Sequence, residues 1–201
     1  SFINFGHSST PAGETMGIYS TLALPNLVVN NSSGNDPTME LWTVPLAVTD
    51  SLEIHAGAAF DADGRDLTLR GDLVANGSFM AGGNTTLFSG SSEQEIFGSP
   101  TFWNLTKDQG NTLTLNASVT VSNELRLQAG TLDDGGNTLH AKGNVWMDAV
   151  HNHGGAGDGI ALDGDEMQVL QADNGRADFG RLTINNPGGA DSVAVTVPQG
   201  N

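Results

Sequence analysis

The chain has 201 residues, a formal net charge of −16 and no cysteine. The acidic charge disfavours nucleic acid and anionic lipid as partners, because both attract basic surfaces, and the absence of cysteine excludes disulfide and thiol chemistry. Hydrophobic residues make up 37% and glycine contributes 27 residues, which indicates narrow coils of short strands and tight turns. The sequence contains no apolar run of membrane-spanning length, so no membrane insertion is predicted for this segment.

Short strands are predicted from the first residues onward. Phe2–Phe5 predicts one strand, residues 22–30 predict an apolar pair broken at Pro25, and the pattern resumes at residues 39–42 after a polar turn. The pattern is clearest in residues 102–146, where apolar and polar residues alternate between turns rich in Gly, Asn and Asp. A two-residue period bounded by turn residues is typical of half-buried strands.

The strand pattern repeats along the chain. Leu52 lies 73 residues before Leu125, and the blocks around these two residues match. Several blocks recur in the same order, with insertions confined to turns, which is the signature of a repeat protein. The matched blocks are 51–57 with 124–130, 66–73 with 138–145, 88–90 with 162–164, 94–96 with 167–169, and 102–106 with 179–183.

These repeats predict an all-β fold, a β-solenoid similar to a parallel β-helix, built from imperfect repeats of about 73 residues. Residues 1–201 form a single elongated array, with a partial repeat in 1–51, a full repeat in 52–123 and most of another in 124–201. We expect this array to be a fragment of a longer chain. Strands within the full repeat are spaced by roughly 18 to 21 residues, which predicts about three coils per repeat. Tandem β-sandwich repeats are the alternative, although no linkers separate the units.

An acidic turn is the first candidate metal site. Asp61, Asp63 and Asp66 are spaced so that a tight turn could bring three carboxylates to a calcium ion. The segment lacks the full twelve-residue calcium loop and its closing Glu. An acidic turn selected for its geometry is therefore the favoured interpretation, and no cofactor is predicted, with calcium kept as a candidate.

The segment from 151 to 159 reads H-N-H-G-G-A-G-D-G and is predicted to be a loop, because it is too rich in glycine for a strand. His151 and His153 could lie on one side of an extended chain as half of a metal site. Asp148 and Asp158 are candidate third ligands by proximity alone. Solvated loop histidines are the favoured interpretation.

No catalytic residue is predicted, and the chain is not expected to be an enzyme. The seven Lys and Arg residues are scattered singly, and no set of converging acids or bases suits glycoside hydrolysis or elimination. Residues 163–166 are predicted to form a surface turn. The three tryptophans could stack on sugars, although Trp103 beside Phe102 is expected to pack in the core or at a sheet edge.

Residues 76–145 resemble repeats in very large secreted and surface proteins of Bacteroidota and other environmental bacteria. The resemblance implies a β-solenoid stalk or adhesin region exported to the cell surface, and it brings no catalytic residues. The matching positions are Ala81, Gly82, Phe88, Gly90, Gln94, Ile96, Phe102, Asn104, Leu105, residues 119–121, Gly130, Leu132, residues 135–137 and Leu139.

The expected function is therefore that of a structural stalk, adhesin or fibre-forming segment of a large bacterial extracellular surface protein. Its partners would be neighbouring repeats, copies of itself or surface glycans. The alternative is a carbohydrate-binding or carbohydrate-active β-helix, with Trp42 and residues 151–159 as contact points. A further possibility is end-to-end stacking of chains into a filament.

Overall fold

The structure is a computed structural model that describes residues 2–32, 34–172, 177–188 and 193–196. Within these ranges the chain forms strands and contains no helix, and so no helix there could cross a bilayer. The strands are β1 (Phe2–Phe5), β2 (Thr15–Ile18), β3 (Asn26–Val29), β4 (Thr38–Leu41), β5 (Leu46–Val48), β6 (Leu52–Ile54), β7 (Ala59–Asp61), β8 (Leu67–Leu69), β9 (Leu73–Ala75), β10 (Ser78–Met80), β11 (Thr85–Phe88), β12 (Gln94–Gly98), β13 (Thr101–Lys107), β14 (Thr112–Leu115), β15 (Val119–Leu127), β16 (Thr131–Asp133), β17 (Thr138–Ala141), β18 (Asn144–Met147), β19 (Val150–Asn152), β20 (Gly159–Leu162), β21 (Gln168–Gln171), β22 (Leu182–Ile184) and β23 (Val193–Thr196).

The described strands lie in three sheets. Strands β3 to β11 visit the three sheets in turn, whereas β12 to β17 alternate between the first sheet and the third, which also contains β18, β21 and β23. The first sheet has the order β1-β3-β6-β9-β12-β14-β16-β19, the second β2-β4-β7-β10, and the third β5-β8-β11-β13-β15-β17-β20-β22. A coil such as β6-β7-β8 therefore contributes one strand to each sheet before β9 continues above β6. In the third sheet β15 pairs with two strands, β17 through residues 119–121 and β18 through residues 124–127.

The fold is the predicted β-solenoid, with about nine turns spaced by about 21 residues. Leu52 of β6 lies beside Leu73 of β9 in parallel register, and Thr112 of β14 lies beside Thr131 of β16 in the same way. All strand pairs in the part of the chain that the structure describes are parallel. Parallel pairing excludes the tandem β-sandwich alternative, because sandwich sheets are antiparallel.

The 73-residue repeat places some of its matched segments on different faces of the solenoid. Leu52 belongs to the first sheet, whereas its sequence match Leu125 belongs to the third. An offset of 73 residues covers between three and four coils of about 21 residues, so matched segments do not stack on one another. The sequence repeat therefore preserves the strand-and-turn pattern, whereas the sheet is kept only in some blocks, such as residues 67–69 of β8 and 138–141 of β17 in the third sheet.

The contacts of two buried glutamines show that one block of the sequence match is misaligned by one residue. The blocks at 94–96 and 167–169 align Gln94 with Met167, yet Gln168 makes the same contacts as Gln94. The Gln168 Oε1 accepts a hydrogen bond from the Gly164 N–H at 3.0 Å, and the Gln94 Oε1 accepts one from the Gly90 N–H at 2.9 Å. Each Nε2 donates to two carbonyls of the preceding coil. The two glutamines close equivalent corners of the solenoid, with Met167 exposed.

The core is one apolar cluster that continues through the coils. Phe60 and Phe79 of adjacent coils stack with ring centroids 5.8 Å apart, and Phe102 follows at 5.5 Å from Phe79. Since each coil is too thin to cover its own apolar face, the next coil supplies the burial. A fully buried Leu or Phe stabilises the fold by about 1.5–3 kcal/mol relative to an exposed one.

Glycine is required where the coils approach most closely at the corners. A Cβ atom on Gly71 would lie 1.6 Å from the backbone oxygen of Asp50, and one on Gly143 would lie 1.7 Å from that of Asn123. Both partner atoms are rigid backbone, so no larger residue fits without displacing a coil.

Candidate functional site

The most extensive buried polar cluster joins β16 to β19. These strands are neighbours in the first sheet, with Leu132 beside His151. Asp134 follows β16 and is fully buried; its Oδ2 lies 3.0 Å from His151 Nε2 and 2.7 Å from His153 Nδ1. The stacking of one coil on the next therefore brings two imidazoles to a single carboxylate.

The second oxygen of Asp134 is held by backbone groups. Oδ1 accepts hydrogen bonds from the N–H groups of Gly136 at 2.8 Å and Gly154 at 2.9 Å. Burial by itself would raise the pKa of Asp134, but the hydrogen bonds from Gly154, His153, Gly136 and His151 together hold the pKa below its ordinary value. Asp134 is accordingly a carboxylate whose two oxygens each accept two hydrogen bonds.

His151 lies between two groups that can only accept. Its Nε2 faces the Asp134 carboxylate, and its Nδ1 lies 2.6 Å from the backbone oxygen of Phe179. Each ring nitrogen therefore faces an acceptor, and both contacts are satisfied when each nitrogen carries a hydrogen, as in the charged form of histidine. The side chains of His151 and Asp134 are both 0% exposed. The arrangement is an ion pair that ties three successive coils together, and its polar atoms are already occupied.

The sequence prediction for this region is confirmed in one respect and wrong in others. His151 and His153 do lie on one side of the chain, with ring centroids 6.4 Å apart. His151 is not a solvated loop residue, because it belongs to β19 and is 1% exposed. The acid that joins them is Asp134, whereas Asp158 pairs with Arg181 at 3.3 Å.

No group of three or more His, Asp or Glu residues in the described ranges is arranged to hold a metal ion. In the acidic turn, Asp61 Oδ1 accepts from the Asp63 N–H at 2.8 Å, Asp63 pairs with Arg65, and Asp66 Oδ1 accepts from Thr85 N–H at 2.8 Å. The three carboxylates thus serve separate partners, which agrees with the interpretation of this segment as a turn selected for its geometry.

The predicted surface turn at 163–166 is only partly on the surface. Asp165 and Glu166 are exposed, as expected. The side chain of Asp163 is 15% exposed, and its Oδ2 lies 2.7 Å from His140 Nδ1 and 3.1 Å from Lys142 Nζ. Asp163 is therefore an ion-pair residue of the third face.

The tryptophans occupy three different surroundings. Trp103 is 43% exposed and is not a core residue, because the register of β13 shifts between Phe102 and Asn104 and turns Trp103 outward. Trp42 lies flat across Gly17, and Trp146 is half-buried with the Arg126 guanidinium 5.8 Å from its ring centre. The three rings do not form a common platform.

Trp103 borders a groove of about 470 Å³, which is lined by Phe79, Phe102 and small residues of the second face. A larger and more polar groove of about 780 Å³ follows the corner between the third and first sheets and includes Asp50, Arg70 and Asp72. Trp42 and residues 151–159 belong to the second and eighth coils, roughly 30 Å apart at about 4.8 Å per coil. The two contact points expected from the sequence are therefore far apart along the solenoid.

A buried lysine was missed by the sequence analysis. Lys107 is 0% exposed, and in the third sheet it lies between Phe88 and Leu127. Its Nζ donates to Asn111 Oδ1 at 2.6 Å and to the backbone oxygen of Gln109 at 2.5 Å. Burial lowers the pKa of Lys107, and the nearby Asp108 carboxylate opposes that shift only in part. The alternation from Leu105 was the available signal, since it directs Lys107 inward.

No protein-family model matches the chain, and no curated protein or solved structure is significantly similar to it. Functional inference therefore depends on the fold, the surface and the buried polar groups.

Proposed function

We propose that this chain is a rigid stalk segment of a large extracellular bacterial surface protein. The observation that carries the proposal is the uninterrupted parallel stacking of about nine coils around one continuous apolar core. The resemblance of residues 76–145 to repeats of secreted surface proteins supports the same role. A stalk needs length and stiffness, and it needs no reactive site.

The stiffness follows from the direction of the backbone hydrogen bonds. In a solenoid these bonds run between coils, along the axis, and they are present in all three sheets. Bending or stretching the stack would have to lengthen the bonds on at least one face. The buried ion pair of Asp134 and His151 adds a further tie between coils. The net charge of −16 favours solubility of an extended surface.

Pulling the chain from its two ends with optical tweezers tests the proposal. We expect the folded length to persist up to a discrete rupture, followed by lengthening in steps of whole coils. A coil of about 21 residues contributes roughly 70 Å when extended. A gradual extension without steps, beginning at the lowest forces, would contradict a stalk role.

A second candidate function is binding of surface glycans, and the Trp103 groove favours it. An exposed indole beside an apolar groove can stack on a sugar ring, as aromatic side chains do in many small-molecule sites. A glycan array identifies ligands, and titration calorimetry then compares variants. We expect Trp103→Ala to weaken binding at least about tenfold and Trp42→Ala, as the matched control, to leave it unchanged. Equal loss in both variants, or no glycan bound at all, excludes this candidate.

A further inference from the structure

The surroundings of Lys107 suit a covalent reaction as well as a hydrogen bond. The side chain belongs to an inward-facing row in which Phe88 and Leu127 are its neighbours above and below. Its amine reaches the corner after β13, where Asn111 Oδ1 accepts from Nζ at 2.6 Å. The carbonyl carbon of Asn111 is one C=O bond beyond this oxygen, so Nζ lies at most about 3.8 Å from that carbon.

Asn111 is held by both adjacent coils, its side-chain amide by the preceding coil and its backbone by the following coil. Its Nδ2 donates to the backbone oxygen of Ser92 in the preceding coil. In the following coil, Thr131 N–H donates to the backbone oxygen of Asn111 at 3.1 Å, and Gly130 packs so closely that an added Cβ would lie 2.3 Å from the same atom. The amide therefore presents its carbonyl to Lys107 without further ordering, which favours an intramolecular reaction.

Asp108, the next residue in the chain, supplies a carboxyl group that is near the amine but not in contact with it. Asp108 interacts electrostatically with Lys107, and its Oδ1 is buried without a hydrogen-bond partner among the described residues. Burial also lowers the pKa of Lys107 and so increases the share of neutral amine, the form that acts as a nucleophile. A desolvated amine, a fixed amide and an unsatisfied carboxyl oxygen are thus present at one corner.

We propose that Lys107 and Asn111 form an intramolecular isopeptide bond, with Asp108 as the proton carrier. The lone pair of Nζ forms a bond to the side-chain carbonyl carbon of Asn111. The Asp108 side chain moves into contact with Nζ, takes a proton from it and passes that proton to Nδ2; the bond between that carbon and Nδ2 breaks, and ammonia leaves. The half-buried Asn111 and the exposed Gln109 and Gly110 give ammonia a path to solvent. The remaining N–H of the new amide can still donate to the Gln109 oxygen.

The bond would connect the end of β13 directly to the start of β14 and bypass the exposed turn between them. A cut in residues 108–110 would then leave the chain covalently continuous. This inference does not depend on the proposed function, since it concerns only the chemistry of one corner.

Intact-mass spectrometry of the folded, purified chain tests the proposal. We expect a mass lower than the sequence mass by one ammonia molecule, and fragment spectra of a digest should show a branched peptide that joins Lys107 to Asn111. The branched peptide is required because cyclisation at Asn76-Gly77 would give the same mass loss. A folded wild-type chain with the full sequence mass, or an ammonia loss located elsewhere, overturns the proposal.

Three variants examine the chemistry. Asn111→Asp should lose one water molecule instead of one ammonia and give the same branched peptide, because the product amide is identical. Lys107→Met should keep its full sequence mass. Asp108→Asn should slow cross-linking by about 100-fold, the usual range for a lost proton carrier. An ammonia loss located at residues 107–111 that persists in Lys107→Met, or a rate unchanged in Asp108→Asn, contradicts the assigned roles.

Discussion

In the described part of the chain, His151 and Lys107 are two buried side chains that can carry a positive charge, and their surroundings differ in one respect. His151 is in direct contact with a carboxylate, Asp134, which accepts four hydrogen bonds. Lys107 instead donates to neutral oxygens of Gln109 and Asn111. A contacted and fully satisfied ion pair is stable and unreactive. An amine without a contacting counter-charge loses its proton more readily, and this makes chemistry possible.

The largest expected effect comes from removing Asp134. We expect Asp134→Ala to destabilise the fold by about 3–5 kcal/mol, because it leaves the His151 cation buried without its counter-charge. Urea unfolding followed by circular dichroism measures the change. Asp165→Ala is the matched control, since Asp165 is exposed, and it should change stability by less than about 0.5 kcal/mol. Similar losses in both variants would show that the ion pair has no special role.

Acid should remove part of the same stabilisation. The folded pKa of Asp134 lies below its ordinary value of 3.8. Its contribution is therefore complete above that value and is lost as the pH falls through the folded pKa. We expect the urea midpoint of the wild type to fall below about pH 4. The urea midpoint of Asp134→Asn should fall less over the same pH range. Identical pH profiles of the urea midpoint for the two proteins would contradict the role assigned to Asp134.

The Lys107 corner predicts a smaller effect through the covalent bond. We expect Lys107→Met to lower stability by about 2 kcal/mol, because the unfolded chain loses a short closed loop. The same substitution in an Asp108→Asn background, where the bond forms slowly, should cost less than about 1 kcal/mol, since an apolar side chain replaces a buried charge. Equal costs in the two backgrounds would indicate that no cross-link contributes.

The smallest effect is expected at His153. This side chain is 17% exposed and contributes one hydrogen bond to Asp134, so His153→Ala should cost about 1 kcal/mol. His55→Ala serves as the control, because His55 is 44% exposed and lies 3.9 Å from Glu53, a pair worth little in water. A loss of stability in His153→Ala as large as that in Asp134→Ala would mean that His151 alone does not hold the Asp134 carboxylate.

Particular residues show how far the sequence could predict this protein. The alternation in residues 102–146 identified the strands and the solenoid, since side-chain direction in a strand alternates locally. The same rule placed His151 and His153 on one side. It did not decide between the core and a sheet edge for Trp103, which is 43% exposed at a register shift between β13 and β15. The sequence also suggested that any role specific to one repeat would lie in residues 151–159 or 171–178, and residues 173–176 of the second segment lie outside the described residues.

The sequence by itself determined the short strands, the glycine-rich corners and the all-β stack, because each depends on neighbours within a few residues. Only the tertiary structure decided which face each strand occupies, that Asp134 meets His151, and that the corner after β13 is clamped between two coils. These contacts join residues that are one coil apart in the chain. Which residues meet depends on the length of every turn between them. A local sequence pattern does not reveal that combined length.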